Sequence, residues 1–381
     1  MESSERPQPS TAVHSRREPA EGLSLAVMAQ RTHYSKSMLG MVEKGQRSAT
    51  PDLVAAYERA LNAQGLGEDV NRRELLAAAA AVLAGANTPE PLTRLLDGLT
   101  SAEAPGRVGR SEVEAVRHAT SVYTTMDLRY GGAVAADVSS GALRWAVGLL
   151  DAPMRDDTRV ALSAAVGALA DRAAWTHFDS GRTYAARRLS TLALRTADAG
   201  SDPDLRAHVV LNMAAQVGDA LPTDAVNLVE SALSDSRVCG MERANLHAGL
   251  AGHLAKTGDT RQALRHVAEA ETLAGRGGET PLWLSFLTAE HLDSIITQAL
   301  AAAEENHEAI RRFENLLPRM DPTRLRGRAG RMIDLADLYA RTDRLDEAQT
   351  LADRADEALS DVRSTRVTAQ LAALRQRVSP G

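Results

Sequence analysis

Aromatic side chains make up only 3% of this 381-residue chain, and it holds a single cysteine, Cys239. With so few rings, a core must be built from alanine, leucine and valine. That favours close-packed helices over sheets, because strands draw on β-branched and aromatic side chains. One cysteine excludes an intramolecular disulfide framework, fits a reducing cytoplasm and reads as a buried structural thiol. Long apolar runs are missing too. The longest, LLAAAAAVLAGA at Leu75 to Ala86, falls short of the roughly 20 residues that cross a bilayer and reads as a buried helix. The first 22 residues are polar and lack the apolar centre of a secretory signal. Positive charge is also scarce: the net charge of −6 excludes a protein that coats nucleic acid through bulk attraction. Residues 1–63 stand near +1 and the remainder near −7. Any DNA contact must come from a small local surface.

Composition shifts divide the chain into four parts. Residues 1–11 read as a flexible arm, and residues 12–63 as a compact cluster of short helices ending in the glycine-bearing LNAQGLGED. Residues 64–160 form a helical connecting region interrupted by the breakers GANTPEP, SAEAPGRVG and RYGG. From about residue 161 to 381 the text repeats. Aligning it on Ala186, Ala225, Ala263, Ala309 and Ala348 gives steps of 39, 38, 46 and 39 residues, each anchor preceded by a turn such as DSGRTYA or TGDTRQ. Four residues after the anchors stand Ser190, Val229, Val267, Phe313 and Ala352. Seven after them stand Ala193, Ala232, Ala270, Leu316 and Ala355, and twelve before them Ala174, Met213, Ala251, Thr297 and Ala336. Helical spacing on both sides of a turn predicts hairpins of two antiparallel helices. Small residues at the anchors let the two backbones approach. A single pair cannot cover its own apolar face, so stacking must bury a continuous core and leave a curved surface. The 46-residue step implies an insertion near GRGGETPLW.

The stretch LSLAVMAQRTHYSKSMLGMVEKGQRSATPDLVAAYERAL, Leu23 to Leu61, differs from the repeats. Ser24 is a good N-cap, and Leu25, Met28, Ala29 and Thr32 follow at i, i+3, i+4 and i+7. THY forms a bend and Ser35 caps a second helix, of which Met38, Leu39 and Val42 turn inward. Lys36, Ser37, Gly40, Met41 and Lys44 are left facing outward. Gly45 suits the left-handed residue that ends a helix. Thr50 caps a third helix with Pro51 at its first position, and Leu53, Val54, Tyr57 and Leu61 form its apolar face. Two short helices with a tight turn, crossing closely at Ala29, have the geometry of a helix-turn-helix.

S-x-S-x-L-x-x-V-E-K-G-x-R followed by TPDLVAAYERAL is similar to the lambda-repressor-like, xenobiotic-response-element (XRE) type of helix-turn-helix regulator. The repeat spacing resembles the tetratricopeptide repeat. DLRYGG at Asp127 to Gly132 and AAWTHFDSGRTYAARRLSTLAL at Ala173 to Leu194 resemble the repeat-bearing members of that group in GC-rich soil bacteria. Leu25 departs from the family, which commonly has a polar side chain there. The resemblance implies an all-α protein: an N-terminal helix-turn-helix domain followed by an α-hairpin, tetratricopeptide-like solenoid. It also implies that the second motif helix enters the major groove of double-stranded operator DNA. Lys36, Ser37 and Met41 would then meet base edges, with Gly40 leaving room. Ser24, Tyr34, Ser35, Lys44 and Arg47, with backbone N–H groups at the two helix starts, suit phosphate oxygens. Lys36 and Ser37 alone give modest selectivity per half-site, so a homodimer is expected. The repeat groove would receive a peptide, small-molecule or protein signal.

No catalytic, cofactor or metal constellation emerges. GRVGRSE and GRGGET lack the lysine and hydroxyl of a P-loop. HAGLAGH puts His247 and His253 on different helix faces, and NHEAI has no second histidine at zinc spacing. The arginine runs RRL at 187 and RLRGRAGR at 324–331 could meet an acidic ligand, although charge runs on repeat helices are usually solvated. A cytoplasmic, non-enzymatic transcription regulator is the leading expectation. An interaction scaffold or an anti-factor with a vestigial motif is the alternative.

Overall fold

The computed structural model describes residues 25–43, 107–276 and 278–378, together with Leu53, Ala56, Tyr57 and Ala60. Among these residues the regular elements are helices and there is no strand, as the shortage of rings and β-branched runs predicts. The arm, the helix before Leu25, the Gly45 stop, the Thr50-Pro51 cap and residues 64–106 of the connecting region lie outside the described residues. The chain divides into two compact units, Met1–Ala80 and Ala81–Gly381.

In the first unit, α1 spans Leu25–Thr32 and α2 spans Lys36–Glu43. Met28, Leu39, Val42, Leu53 and Tyr57 make its core, with Leu25, Ala29, Tyr34 and Ala60 packed against it. The spacing of apolar residues in the sequence is what aims these side chains at one another.

The second unit is a run of antiparallel pairs: α3 (Arg110–Tyr130) with α4 (Gly132–Leu149), α5 (Asp156–Asp179) with α6 (Thr183–Ala199), and α7 (Pro203–Val217) with α8 (Pro222–Leu233). Then come α9 (Gly240–Lys256) with α10 (Thr260–Arg276), α11 (Ala289–Ala302) with α12 (Asn306–Leu316), α13 (Leu325–Arg341) with α14 (Leu345–Leu359), and a final α15 (Thr365–Val378). Every alanine anchor is the fourth residue of the second helix of its pair, and all five are 0% exposed. The residues four and seven later and twelve earlier are buried as well. The insertion after α10 holds a 3-10 turn at Leu282–Leu284, and Trp283 Nε1 there donates to Asp202 Oδ2 at 3.2 Å.

Helices α3 and α4, part of the region read from the sequence as a connector, pack on α5. The far end of the array returns to them, with α13 against α3 and α15 against α5. The stack therefore closes on itself, and its concave face encloses a cavity where the sequence predicts an open groove.

A buried ion cluster fastens this closure. Arg326 of α13 donates through Nη2 to Asp127 Oδ2 at 2.7 Å and through Nη1 to Asp179 Oδ1 at 3.2 Å. Arg172 adds a bond to Asp127 at 3.2 Å, while Ser364 Oγ and the Gly132 N–H donate to Asp179 at 2.9 Å each. Both carboxylates are 0% exposed. Burial alone would raise them both. At Asp127 it prevails over Arg326 and Arg172 and pushes the carboxyl up. At Asp179 it is outweighed by Arg326, Arg366 and the two hydrogen bonds, which hold that carboxyl down. The backbone takes part: Arg363 N–H donates to Tyr130 C=O at 2.7 Å, and Ala133 N–H donates to Arg363 C=O at 3.1 Å. Gly131 has φ +88, and a Cβ there would stand 2.5 Å from the Arg363 carbonyl oxygen. Only glycine fits such a backbone and such an approach. The arginine run at 324–331, expected to be solvated, thus supplies the buried Arg326 at 7% exposure. Its charge is tolerated there because two carboxylates face it.

Removing one member of a buried ion pair leaves its partner's charge uncompensated. Arg326→Ala should therefore destabilise this unit by about 3–5 kcal/mol. Urea unfolding followed by tryptophan fluorescence checks this, since Trp145, Trp175 and Trp283 all lie in the second unit.

Three histidines make the unit sensitive to acid. His291 is pushed down to about 3 by burial and by the guanidinium groups of Arg331, Arg324, Arg326 and Arg172. Burial, helped by Lys256, takes His253 to about 4, and burial with His266 takes His247 to about 4. These side chains stay neutral in the fold but take a proton near pH 6.5 once unfolded, so the unfolded chain binds more protons below that pH. Stability then falls by up to about 1.4 kcal/mol per pH unit for each histidine as pH drops from about 6.5 toward 4. His208 runs the other way, because Glu242 and Asp171 outweigh its burial and raise it. Its contribution is complete below about pH 6.5 and is lost as pH rises through its folded value. His177 and His266 are lowered in the same sense, while Asp127, Asp202, Glu242 and Asp293, raised by burial, side with His208. The large shifts of His291, His253 and His247 set the sign between pH 5 and 7.5. The urea midpoint should be lower at pH 5 than at pH 7.5.

Candidate nucleic-acid interface

The bend between α1 and α2 is built from one hydroxyl, one left-handed residue and the cap of α2. Thr32 Oγ1 donates to Met28 C=O at 2.7 Å and accepts from Tyr34 N–H at 3.5 Å. His33 takes φ 59, a left-handed conformation that turns the chain in one residue. Ser35 then opens α2: its Oγ accepts from Met38 N–H at 3.2 Å, and its carbonyl accepts from Leu39 N–H at 3.0 Å. This is N-cap bonding, which satisfies donors that the helix cannot. Tyr34, the residue before the cap, packs on the cluster that contains Leu39, as in a hydrophobic staple. Arg31 Nη1 donates to Ala60 C=O at 3.0 Å and so ties the end of α1 to the helical residues that follow. Nothing in the sequence alone singles out Arg31.

These restraints fix how α2 is turned. Leu39 is 0% exposed and Val42 is 2% exposed, so one face is locked into the core. Ser35, Lys36 and Ser37 are exposed at its N-terminal end, while Tyr34, Gly40 and Met41 are half-buried beside them. A Cβ at Gly40 would stand 3.8 Å from Leu25 Cδ1. That is an ordinary van der Waals distance, so Gly40 faces the Leu25 side chain of α1 without being required by it. Ser24, Lys44 and Arg47 lie outside the described residues. The N–H groups left at the start of α2, with the positive end of the helix dipole, lie beside the exposed Lys36 and can hold phosphate oxygens. Lys36 adds a mobile cation able to bond guanine acceptors.

Among the described residues no three His, Cys, Asp or Glu side chains are placed to share a metal ion. No described helix is long and apolar enough to cross a membrane.

A capped helix held by one face, offering its first turn on the other and joined to its predecessor by a three-residue bend, is a helix-turn-helix. A helix-turn-helix family model, of the XRE type, matches residues 13–65, which identifies this stretch as a DNA-binding regulatory domain. The second unit, helical and without strands among its described residues, fits a repeat-like domain, and no tetratricopeptide family model matches it. A comparison with curated proteins gives no match to the chain.

Removing the cap should loosen α2 without displacing its core face. Ser35→Ala is expected to cost about 1 kcal/mol of local helix stability, read as roughly fivefold faster hydrogen exchange at the amides of residues 37–39. Ser35→Asp, which can still cap, should restore the slow exchange.

Proposed function

We propose that this chain is a sequence-specific, DNA-binding transcription regulator that works as a homodimer, and that its helical unit receives the signal controlling it. The observation that carries the reading is the pairing of a buried Leu39–Val42 face with an exposed Ser35–Lys36–Ser37 turn on the same helix. Such a helix enters the major groove with its first turn toward base edges. Lys36 and Ser37 would read bases, with Met41 against a thymine methyl. Tyr34, Ser35 and the helix-start amides would hold phosphates, together with Ser24, Lys44 and Arg47.

A good base contact discriminates by about 1–3 kcal/mol. Two or three such contacts per half-site make a dimer on a two-part operator the economical arrangement. The acidic balance of the remaining chain suits this reading, because non-specific attraction to DNA is kept low and specificity rests on the small N-terminal surface. Protein at this site would be cytoplasmic, with no catalytic role and no cofactor.

Selection of bound duplexes from a random DNA library tests the proposal. The wild-type chain should enrich one motif with two half-sites. Lys36→Ala combined with Ser37→Ala should flatten base preference, and Arg47→Ala should weaken all sequences alike and reduce the dependence of binding on salt. A library that shows no enrichment, or an enriched motif unchanged by the double substitution, would overturn it.

A further inference from the structure

The cavity enclosed by the helical unit measures about 530 Å³, within the range of sites that hold drug-sized molecules. Its walls are the inner helices α5, α7, α9, α11 and α13, with α3, α15 and the insertion completing them. Three of its guanidinium groups keep bonding capacity beyond their ion pairs. Arg172 bonds Asp127 through Nη1, and its buried Nε has no hydrogen-bond partner. Arg366 reaches Asp179 at 3.3 Å through Nη2, and its buried Nε has none either. Arg331 Nη1 bonds Ser294 Oγ at 3.3 Å, while its Nε, 2.9 Å from Asp334, lacks hydrogen-bond geometry to it. An unmet donor costs about 1–3 kcal/mol on a buried group such as Arg172 and less on the part-exposed Arg331 and Arg366, and an incoming anion can meet all three.

Positive charge is in excess on one wall of the cavity only. Arg172, Arg326, Arg331 and Arg366 face the carboxylates of Asp127, Asp179 and Asp334, which leaves one positive charge in excess on that wall. On the α7–α9 wall, His208 lies between Asp171 and Glu242. At the mouth, Arg319 and Arg324 accompany Glu290 and Asp321. The field of the arginines helps keep His291 neutral, so its ring can donate one hydrogen bond and accept another.

Aromatic and apolar surface adjoins the cations: Arg172 lies 4.8 Å from the centre of the Phe286 ring, and Arg366 lies 5.8 Å from that of Trp175. Gly330 is buried on the wall beside Arg331, yet a Cβ added there would meet nothing within 4 Å. The space before it belongs to the cavity.

We propose that this cavity binds an organic carboxylate carried on an apolar, ring-sized body, with Arg331 and Arg366 holding the carboxylate and Trp175 and Phe286 bordering the body. The proposal deepens the signal-receptor part of the regulator reading and rests on it only for its biological consequence. Binding itself stands on the cavity alone.

Titration calorimetry on the full chain tests it with matched acids and amides: naphthylacetate against naphthylacetamide, phenylpropionate against phenylpropionamide, and octanoate against octanamide. At least one acid should bind one-to-one, with its amide roughly tenfold weaker or worse, as loss of a charge-assisted pair implies. Arg331→Met should weaken that acid by a similar factor and leave the amide unchanged. Gly330→Leu should abolish binding while the tryptophan-detected urea midpoint stays near wild type. Failure of every acid to bind at millimolar concentration, equal binding of acid and amide, or binding that survives both substitutions overturns the proposal. These titrations contain no DNA, so their failure leaves operator selection by the wild-type chain untouched. A failed selection would likewise leave the calorimetry standing.

Discussion

Two carboxylates without solvent, Asp127 and Asp179, sit at the join where the helical array meets its own beginning, and Arg326 lies between them. Everything else in the second unit is arranged so that this contact can form. Each hairpin must turn by an amount that brings α13 to α3 after five pairs. Gly131 and Gly132 must be bare so that the Arg363 segment and α5 can approach. The desolvation of three charged groups is offset by their mutual attraction and by hydrogen bonds from Ser364 and the Gly132 amide. Such a cluster adds little net stability over an apolar core, but it tolerates only one arrangement of its donors and acceptors.

The first unit is organised on a different principle, by caps and a small apolar cluster. Its geometry was largely readable from residues. Ser35 as a cap, the inward set of Leu39 and Val42, and the bend at Thr32–Tyr34 follow from one side-chain hydroxyl and a 3.6-residue period. The alanine anchors were equally legible, because a small residue recurring at a fixed distance from a turn has few explanations besides a close helix crossing.

What could not be read was long-range. DLRYGG and WTHFDSGR stand out as motifs, but sequence spacing gives no reason for Asp127 to meet Asp179, or for either to meet an arginine 199 or 147 residues away. Local pattern favours solvent for Arg326, since a charge run on a helix is usually a wet face. Its burial depends on where the array ends, which is a sum of small rotations that no single residue encodes. The cavity was hidden for the same reason: Arg172, His291 and Arg331 come from separate repeats and share a wall only after closure. On α2 the exposure of Lys36 and Ser37 was legible, whereas Gly40 and Met41, placed outward by the same period, are half-buried, because they lie where α2 meets its neighbours.

Closure also fixes the repeat number. An open stack of hairpins can gain or lose a unit at little cost, since each one touches only its neighbours. Here one hairpin more or fewer would carry α13 past α3 or leave it short, stranding two buried carboxylates. The array is therefore a counted object, free to vary in its outer helices and loops but not in how many turns it takes to come back to its start.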